Sequence, residues 1–367
     1  MIFFEKIKNI LFSLTTKGNS KPQIIAESSS PNCPLHAIVE EDDRCTYMYL
    51  IIKDEDGIKG HLGTCWLSNH KQSPQDWEID KMQEGITPMM PIEYCNHPKG
   101  KPKFNPENLK FVWFEEGDGV AILENGEILG VIPYWSDDQN PTYSKDMIEH
   151  YELQFPLGDE NALIFRIKKA EEFWDTLFEN EHYWEEFRDP RRKILDKYFG
   201  KQGEYYMYNQ GTWPWKLMAE YEVKDMTYLV TIGMSLIPQP QVELAIEKYQ
   251  DVRRVELAFA IKTKILKKYR DNYMSYLGVL SKSPWEDITW FGHGHTVDSR
   301  EYLYMKNTSP YLTFIEAGMD KTLPQIKFPK FRGDPTNILW LEHITENDFD
   351  LIKSKGIAKY IKNKVAK

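Results

Sequence analysis

The segment MTYLVTIGMSLI, residues 226–237, decides the class of fold in the second half of the chain. It is rich in β-branched and aromatic residues, as is RRVELAFAIK (253–262), so both segments predict strands. Apolar residues at helical spacing follow in KILKKYRDNYMSYLGVL (264–280), and strands are predicted again at 311–318 and 337–344. Strands and helices are mixed without a regular β-α-β order, which predicts an α+β domain.

A closing helix is predicted from ITENDFDLIKSKG, residues 344–356. Thr345 can cap its first turn, Asp348 stands three residues later as in a capping box, and Gly356 marks its end. The second half therefore has its own complete set of strands and helices.

The first half predicts a further α+β domain. Strands are expected in CTYMYLII (45–52) and on both sides of Asn125-Gly126, a pair that suits a two-residue hairpin turn. The segment 73–85 predicts a helix with Ser73 as its N-cap, and a second helix is expected to break at Asp189-Pro190.

Length and composition favour two domains, because 367 residues exceed what one core usually holds. Gly, Tyr and Trp cluster in GKQGEYYMYNQGTWPW (200–215). We therefore predict an N-terminal helix and linker at 1–32, an N-terminal companion domain at 33–204 and a second domain at 205–367.

The first residues, MIFFEKIKNILFSL, are interrupted by charges and are too short in apolar run to span a membrane. Residues 1–14 instead predict an amphipathic helix that packs on the body of the protein. Weak contact with a membrane surface is the alternative. The polar stretch 15–34 predicts a linker.

The charge is unevenly distributed along the chain. Residues 1–200 carry 22 Lys and Arg against 36 Asp and Glu, whereas residues 201–367 carry 24 against 20. An acidic half repels phosphate backbones, so we expect no nucleic-acid partner, and it favours a basic protein. The four cysteines lack the Cys-x-x-Cys spacing of a zinc site, which predicts reduced thiols in a cytoplasmic protein.

The segment TWFGHGHTVDS (289–299) raises the question of a metal site. In an extended segment His293 and His295 would project to one face and could chelate one ion. Asp298 does not stand where a metallo-β-lactamase-like site needs its aspartate, so a distant acid or His343 would have to supply the third ligand. We therefore expect no metal and no cofactor, with a metal-dependent hydrolase as the alternative. No Gly-x-Ser-x-Gly elbow or phosphate-binding loop is present in the sequence.

Four ordered segments resemble the Suppressor of fused family: TYLVTIGMS (227–235), RVELAFAI (254–261), WFGHGHTVD (290–298) and a final strand and capped helix (338–361). The first half, from CWLSNHKQ at residue 65 to GVIPYW at residue 135, resembles the companion domain of bacterial members. This resemblance extends over roughly residues 33–367.

The resemblance implies a protein-binding module and not an enzyme. The eukaryotic protein of this family binds a short transcription-factor segment as an added strand, and bacterial relatives have been proposed as immunity proteins that neutralise polymorphic toxins. Carried over to the matching segments, partner contacts are expected at Tyr228, Thr231, Gly233 and Glu256, with His293 and His295 lining the same surface.

Alternation along the strand places Glu256, between Val255 and Leu257, on an outward face. The segment LIPQPQ (236–241) departs from the family, because eukaryotic members have an acidic, Tyr-containing loop there. The identity of the eukaryotic ligand is therefore not carried over to this chain.

Overall fold

The computed structural model describes residues 21–54, 56–136, 140–152, 154–158, 162–208, 211–303 and 309–365. The predicted helix at residues 1–14 lies outside these ranges. The chain divides into two compact units between Asp175 and Thr176. The predicted domain limits at 32/33 and 204/205 stay predictions.

The first unit begins with a four-stranded antiparallel meander. Its strands are β1 (Gln23–Ser29), β2 (Leu35–Glu41), β3 (Cys45–Asp54) and β4 (Gly57–Asn69), paired in chain order. The linker predicted for residues 15–34 is wrong over β1, because polar residues of Gln23–Ser29 occupy the exposed edge of this sheet and pair with β2. Polar composition alone does not separate an edge strand from a loop.

A second sheet of the first unit follows. Its strands are β5 (Leu109–Trp113), β6 (Val120–Glu124), β7 (Glu127–Ile132), β8 (Thr142–Ser144) and β9 (Gln154–Pro156). The hairpin at Asn125-Gly126 is confirmed, with positive φ at both residues. Gly130 lets the sheets approach, since a β-carbon there would lie 2.5 Å from Leu67.

Two helices accompany these sheets. Helix α1 (Ile79–Gln83) is much shorter than the predicted helix, and Ser73 is not its cap. Ser73 is buried and accepts a hydrogen bond from Asn69 Nδ2 at 2.8 Å. Helix α2 (Ala162–Glu179) packs Leu163, Ile167 and Ala170 against the second sheet.

The second unit is built on one seven-stranded sheet. Its strands are β10 (Glu204–Met207), β11 (Leu217–Val223), β12 (Met226–Ile232), β13 (Val255–Lys262), β14 (Thr296–Asp298), β15 (Tyr311–Glu316) and β16 (Asn337–Ile344). The spatial order is β10-β11-β12-β13-β16-β15-β14, and only β13 and β16 run parallel. β10 and β14 are the edges.

The helices of this unit are α3 (Tyr183–Phe199), α4 (Val242–Ala245), α5 (Thr263–Leu280), α6 (Ser283–Glu286), α7 (Arg300–Leu303), α8 (Glu346–Lys355) and α9 (Ile357–Val365). Helix α3 continues through Pro190, so the break predicted at Asp189-Pro190 is wrong. The chain turns instead at Asn180, whose side chain accepts from the backbone of His182.

Helices cover both faces of the seven-stranded sheet. Phe199 of α3 stacks on Tyr221 and Tyr228, with centroids 4.5 and 4.9 Å away. On the opposite face, Tyr273 of α5 contacts Phe259 and His343. The central strands are therefore buried on both sides, and the predicted α+β class is confirmed.

The closing helix forms as predicted. Thr345 and Asp348 make a reciprocal capping box at the start of α8, and Gly356 follows its last residue. Lys364 of α9 then bridges Asp320 at 2.8 Å and Glu342 at 2.5 Å, which attaches the C-terminal helix to the sheet.

Candidate functional site

A buried carboxylate organises the segment that ends β12. Glu256 on β13 is fully buried and accepts five hydrogen bonds from three consecutive residues and a threonine. Its Oε1 accepts from Gly233 N, Ser235 N and Ser235 Oγ at 2.6–3.1 Å. Its Oε2 accepts from Thr231 Oγ1 at 2.7 Å and Met234 N at 3.2 Å. We call residues 231, 233–235 and 256 the Glu256 cluster.

Thr231 joins two strands where their backbone ladder stops. The last β12–β13 pair is Val230 with Ala258, and beyond it Thr231 Oγ1 accepts from Leu257 N at 2.8 Å while it donates to Glu256. One hydroxyl thus acts as donor and acceptor between strands that have begun to separate.

Gly233 can only be glycine at this position. Its φ is +117°, and a β-carbon would lie 2.3 Å from Trp215 O. The backbone of residues 233–236 turns tightly there, and the N–H groups of residues 233–235 donate to Glu256. The Gly-Met-Ser sequence therefore encodes a carboxylate-binding turn.

The expectation that Glu256 lies on an outward face is wrong. β13 is flanked by β12 and β16 and covered by helices on both faces, so Val255, Glu256 and Leu257 are all buried. Burial raises the pKa of Glu256, and the hydrogen bonds from Ser235, Thr231 and Gly233 oppose this change. Glu256 therefore positions the turn and cannot itself touch a partner in this structure.

Two buried arginines compensate the buried acids. Arg254 donates to Ser235 O and Leu236 O at 3.2 and 2.8 Å, and its Nε lies 3.0 Å from Asp334. Burial lowers the pKa of Arg191 to about 10, while the charge of Glu256 opposes this and that of Arg254 adds to it. Neither arginine was predicted from the sequence: Arg254 stands in the Arg253-Arg254 pair that precedes β13, and no pattern marks Arg191.

Gln239 connects the Glu256 cluster to the histidine segment. It follows the 233–236 turn, is buried, and exchanges two hydrogen bonds with the backbone of Phe291: Phe291 N donates to Oε1 at 2.9 Å, and Nε2 donates to Phe291 O at 3.1 Å. Phe291 stacks on Phe314 and directly precedes Gly292. No sequence pattern predicts this link.

His293 and His295 stand in a turn and not in an extended segment. His295 N donates to Gly292 O, and Gly294 has a φ of +89°. His293 Nδ1 accepts from Glu316 N at 3.2 Å, whereas His295 packs on Trp290 with centroids 4.4 Å apart. Burial lowers the pKa of both imidazoles. We call residues 292–295 the His turn.

His343, one of the third ligands considered for a metal, is engaged elsewhere. His343 Nε2 is 2.8 Å from Tyr273 OH, under helix α5. Over the described ranges, no group of three or more His, Cys, Asp or Glu is arranged to hold a metal ion.

Tyr228 lies apart from these two groups of residues. It is half-buried on the sheet face covered by α3, between Phe199 and the edge of Trp340. The structure thus brings Thr231, Gly233 and Glu256 together, links them to His293 and His295 through Gln239, and leaves Tyr228 under a helix.

The edge strand β14 begins directly after the His turn. Phe314 N donates to His295 O, and Ser299 N donates to Pro310 O. Since antiparallel ladders alternate, Val297 faces β15 and the N–H and C=O of Thr296 point away from the sheet. Tyr276 OH donates to Asp298 O at 2.8 Å and covers the far end of the edge.

The second unit is thus an α+β domain around a mixed seven-stranded sheet. Residues 215–365 match the model of the Suppressor of fused protein family, so the chain carries a domain of this family. It is also similar to a solved structure described as the Sufu-Fu complex crystal structure, at 14% identity and a TM-score of 0.34, over 47% of this chain and 83% of that chain. Comparison with curated proteins found no match.

The Suppressor of fused domain indicates a protein-binding module. In the described part of the chain, no helix has the combination of length and apolar character needed to cross a membrane.

Proposed function

We propose that this protein is a non-catalytic binding module of the cytoplasm that neutralises a protein toxin by direct contact. The observation that carries the proposal is the Suppressor of fused domain at residues 215–365. The buried polar groups at the centre of this domain bind one another. Glu256 accepts a hydrogen bond from Ser235, and Arg254 forms an ion pair with Asp334. Buried hydrogen bonds and ion pairs of this kind are suited to fixing the conformation of a binding surface.

The edge of β14 is the proposed point of contact. An added strand needs main-chain donors and acceptors that point away from the sheet, and Thr296 offers both. His293 and His295 flank this edge and would contact side chains of the partner strand. Only β15 pairs with β14 among the described residues.

The Glu256 cluster would act on this surface indirectly. Glu256 fixes the 233–236 turn, Gln239 fixes Phe291, and Phe291 leads into the His turn. Thr231, Gly233 and Glu256 are therefore proposed as positioning residues for the partner site. Tyr228 would contribute through its packing under α3.

A basic partner suits the charge of the chain. The excess of acids in residues 1–200 would attract a cationic enzyme, such as a toxin whose substrate cleft binds an anion. Complementary charge chiefly increases the rate of association.

Co-expression with toxins encoded beside this gene in its host tests the proposal. We expect the wild-type chain to restore growth with one of them and to co-purify with it. The variant Thr296→Pro, which removes an outward N–H, should lose both properties. Met207→Pro on the opposite edge strand β10 is the matched control and should keep them. Failure to rescue from any neighbouring toxin would contradict the proposal.

A further inference from the structure

Three aromatic side chains of the first unit form a partly exposed cluster. The ring centroids of Trp77 and Tyr151 are 4.8 Å apart, and those of Tyr94 and Tyr151 are 5.1 Å apart. Their planes are inclined by 42° and 56°, so the rings present angled faces and not a flat stack. We call Trp77, Tyr94 and Tyr151 the aromatic cluster.

The aromatic cluster rests on a rigid support. It packs on a buried core that includes Met89, Met90, Cys95 and Met147. Two segments distant in sequence are joined beneath it by backbone pairing. Cys95 and Met147 form an isolated antiparallel β-bridge, and Ile148 N donates to Tyr94 O at 3.0 Å. The rings are therefore held in place before any ligand arrives.

Carboxylates surround the two phenol groups. Glu93, Glu149 and Glu152 are all exposed, and Tyr151 OH donates to Glu152 at 3.3 Å. A hydrogen bond to Glu93 raises the pKa of Tyr94, followed by burial and by the charges of Glu93 and Glu149. Burial and then the charge of Glu152 raise the pKa of Tyr151. Negative charges therefore act on both hydroxyls.

We propose that the aromatic cluster binds a cationic side chain, a lysine ammonium or an arginine guanidinium, of a basic protein partner. Ring faces attract cations, and the neighbouring carboxylates add a longer-range attraction. The source of the cation, a toxin, rests on the proposed function. The preference for a cation rests on this cluster alone.

Fluorine NMR of the full chain labelled with 5-fluorotryptophan tests the site. The variant Trp77→Phe identifies the Trp77 resonance among the 11 tryptophans. We expect tetramethylammonium chloride to shift it saturably in the millimolar range, whereas sodium chloride at equal ionic strength does not. Tyr151→Leu should weaken this binding about threefold, and Tyr151→Phe, which keeps the ring, should not.

An equal shift in sodium chloride, or unchanged binding in Tyr151→Leu, would overturn the proposal. Unchanged resonances of the other tryptophans show that Tyr151→Leu is folded, and Tyr94→Leu with Tyr94→Phe serves as a second pair. A hexalysine peptide should shift the same resonance, and hexaglutamate should not. Because growth rescue is measured separately, loss of the cation site and loss of toxin neutralisation are distinguishable.

Discussion

Replacement of Glu256 by glutamine tests the Glu256 cluster most sharply. The change keeps the shape of the side chain but turns one acceptor oxygen into an NH₂ donor. At Oε1 this donor would face two backbone N–H groups and the hydroxyl of Ser235. At Oε2 it would face Met234 N and the hydroxyl of Thr231, which can accept. The second orientation is less costly and still leaves Met234 N opposite a donor.

The cost follows from this geometry. One buried N–H without an acceptor costs about 1–3 kcal/mol, and the remaining hydrogen bonds lose the strength that an ionised acceptor gives. Removal of a buried charge offsets part of this loss, because burial raises the pKa of Glu256 and so disfavours its carboxylate. We expect Glu256→Gln to lower the free energy of unfolding by about 2–4 kcal/mol.

Urea unfolding followed by circular dichroism measures this difference. Glu247→Gln is the matched control, since Glu247 is exposed on the same unit and should change stability by less than about 0.5 kcal/mol. Hydrogen exchange at the amides of residues 233–235 should accelerate only in Glu256→Gln. Equal stability of the two variants, with unchanged exchange, would refute the role assigned to the carboxylate.

Three further outcomes are expected. Gly233→Ala should lower the free energy of unfolding, measured in urea, by at least about 3 kcal/mol, because the new β-carbon would overlap Trp215 O. Gly57→Ala is the control: Gly57 has the same φ of +117° but lies in open space, so the change should cost only about 1 kcal/mol. Burial lowers the pKa of Lys216 to about 7 from about 10.5, so between these values the unfolded chain binds one more proton and stability rises with pH. Lys216→Met should remove up to about 1.4 kcal/mol per pH unit of this rise, and identical pH profiles of the two proteins would contradict it. Elemental analysis of the purified chain should find no stoichiometric zinc, iron or manganese, whereas a metal lost on replacement of His293 and His295 by alanine would revive the hydrolase alternative.

Local signals in the sequence were sufficient for several elements. Asn125-Gly126 fixes its hairpin because both residues accept positive φ, and Thr345 with Asp348 fixes the start of α8 because the cap involves neighbours only. At Pro190 and Ser73, by contrast, the local signals predicted the wrong structure: a helix break at Pro190 and an N-cap at Ser73. Pro190 stays within α3, and Ser73 accepts a hydrogen bond from Asn69 instead of capping a helix.

The partner-contact role of the six residues named from the family resemblance stays a prediction, and the structure shows only which of them lie together. Thr231, Gly233 and Glu256 came from the family resemblance, and they do meet. Alternation gave the wrong face for Glu256, because a central strand covered by helices on both sides has no outward face. The partners of Arg191 and Gln239 are distant in the sequence. The charge of Glu256 acts on Arg191, and Gln239 accepts a hydrogen bond from Phe291. No local sequence pattern predicts such interactions.

Growth rescue by paired edge variants tests the central claim most directly. Cells that express a neighbouring toxin would receive the wild-type chain, Thr296→Pro or Met207→Pro, each at equal soluble level. The β14 contact predicts survival with the wild type and Met207→Pro and death with Thr296→Pro. Equal protection by all three proteins would contradict it.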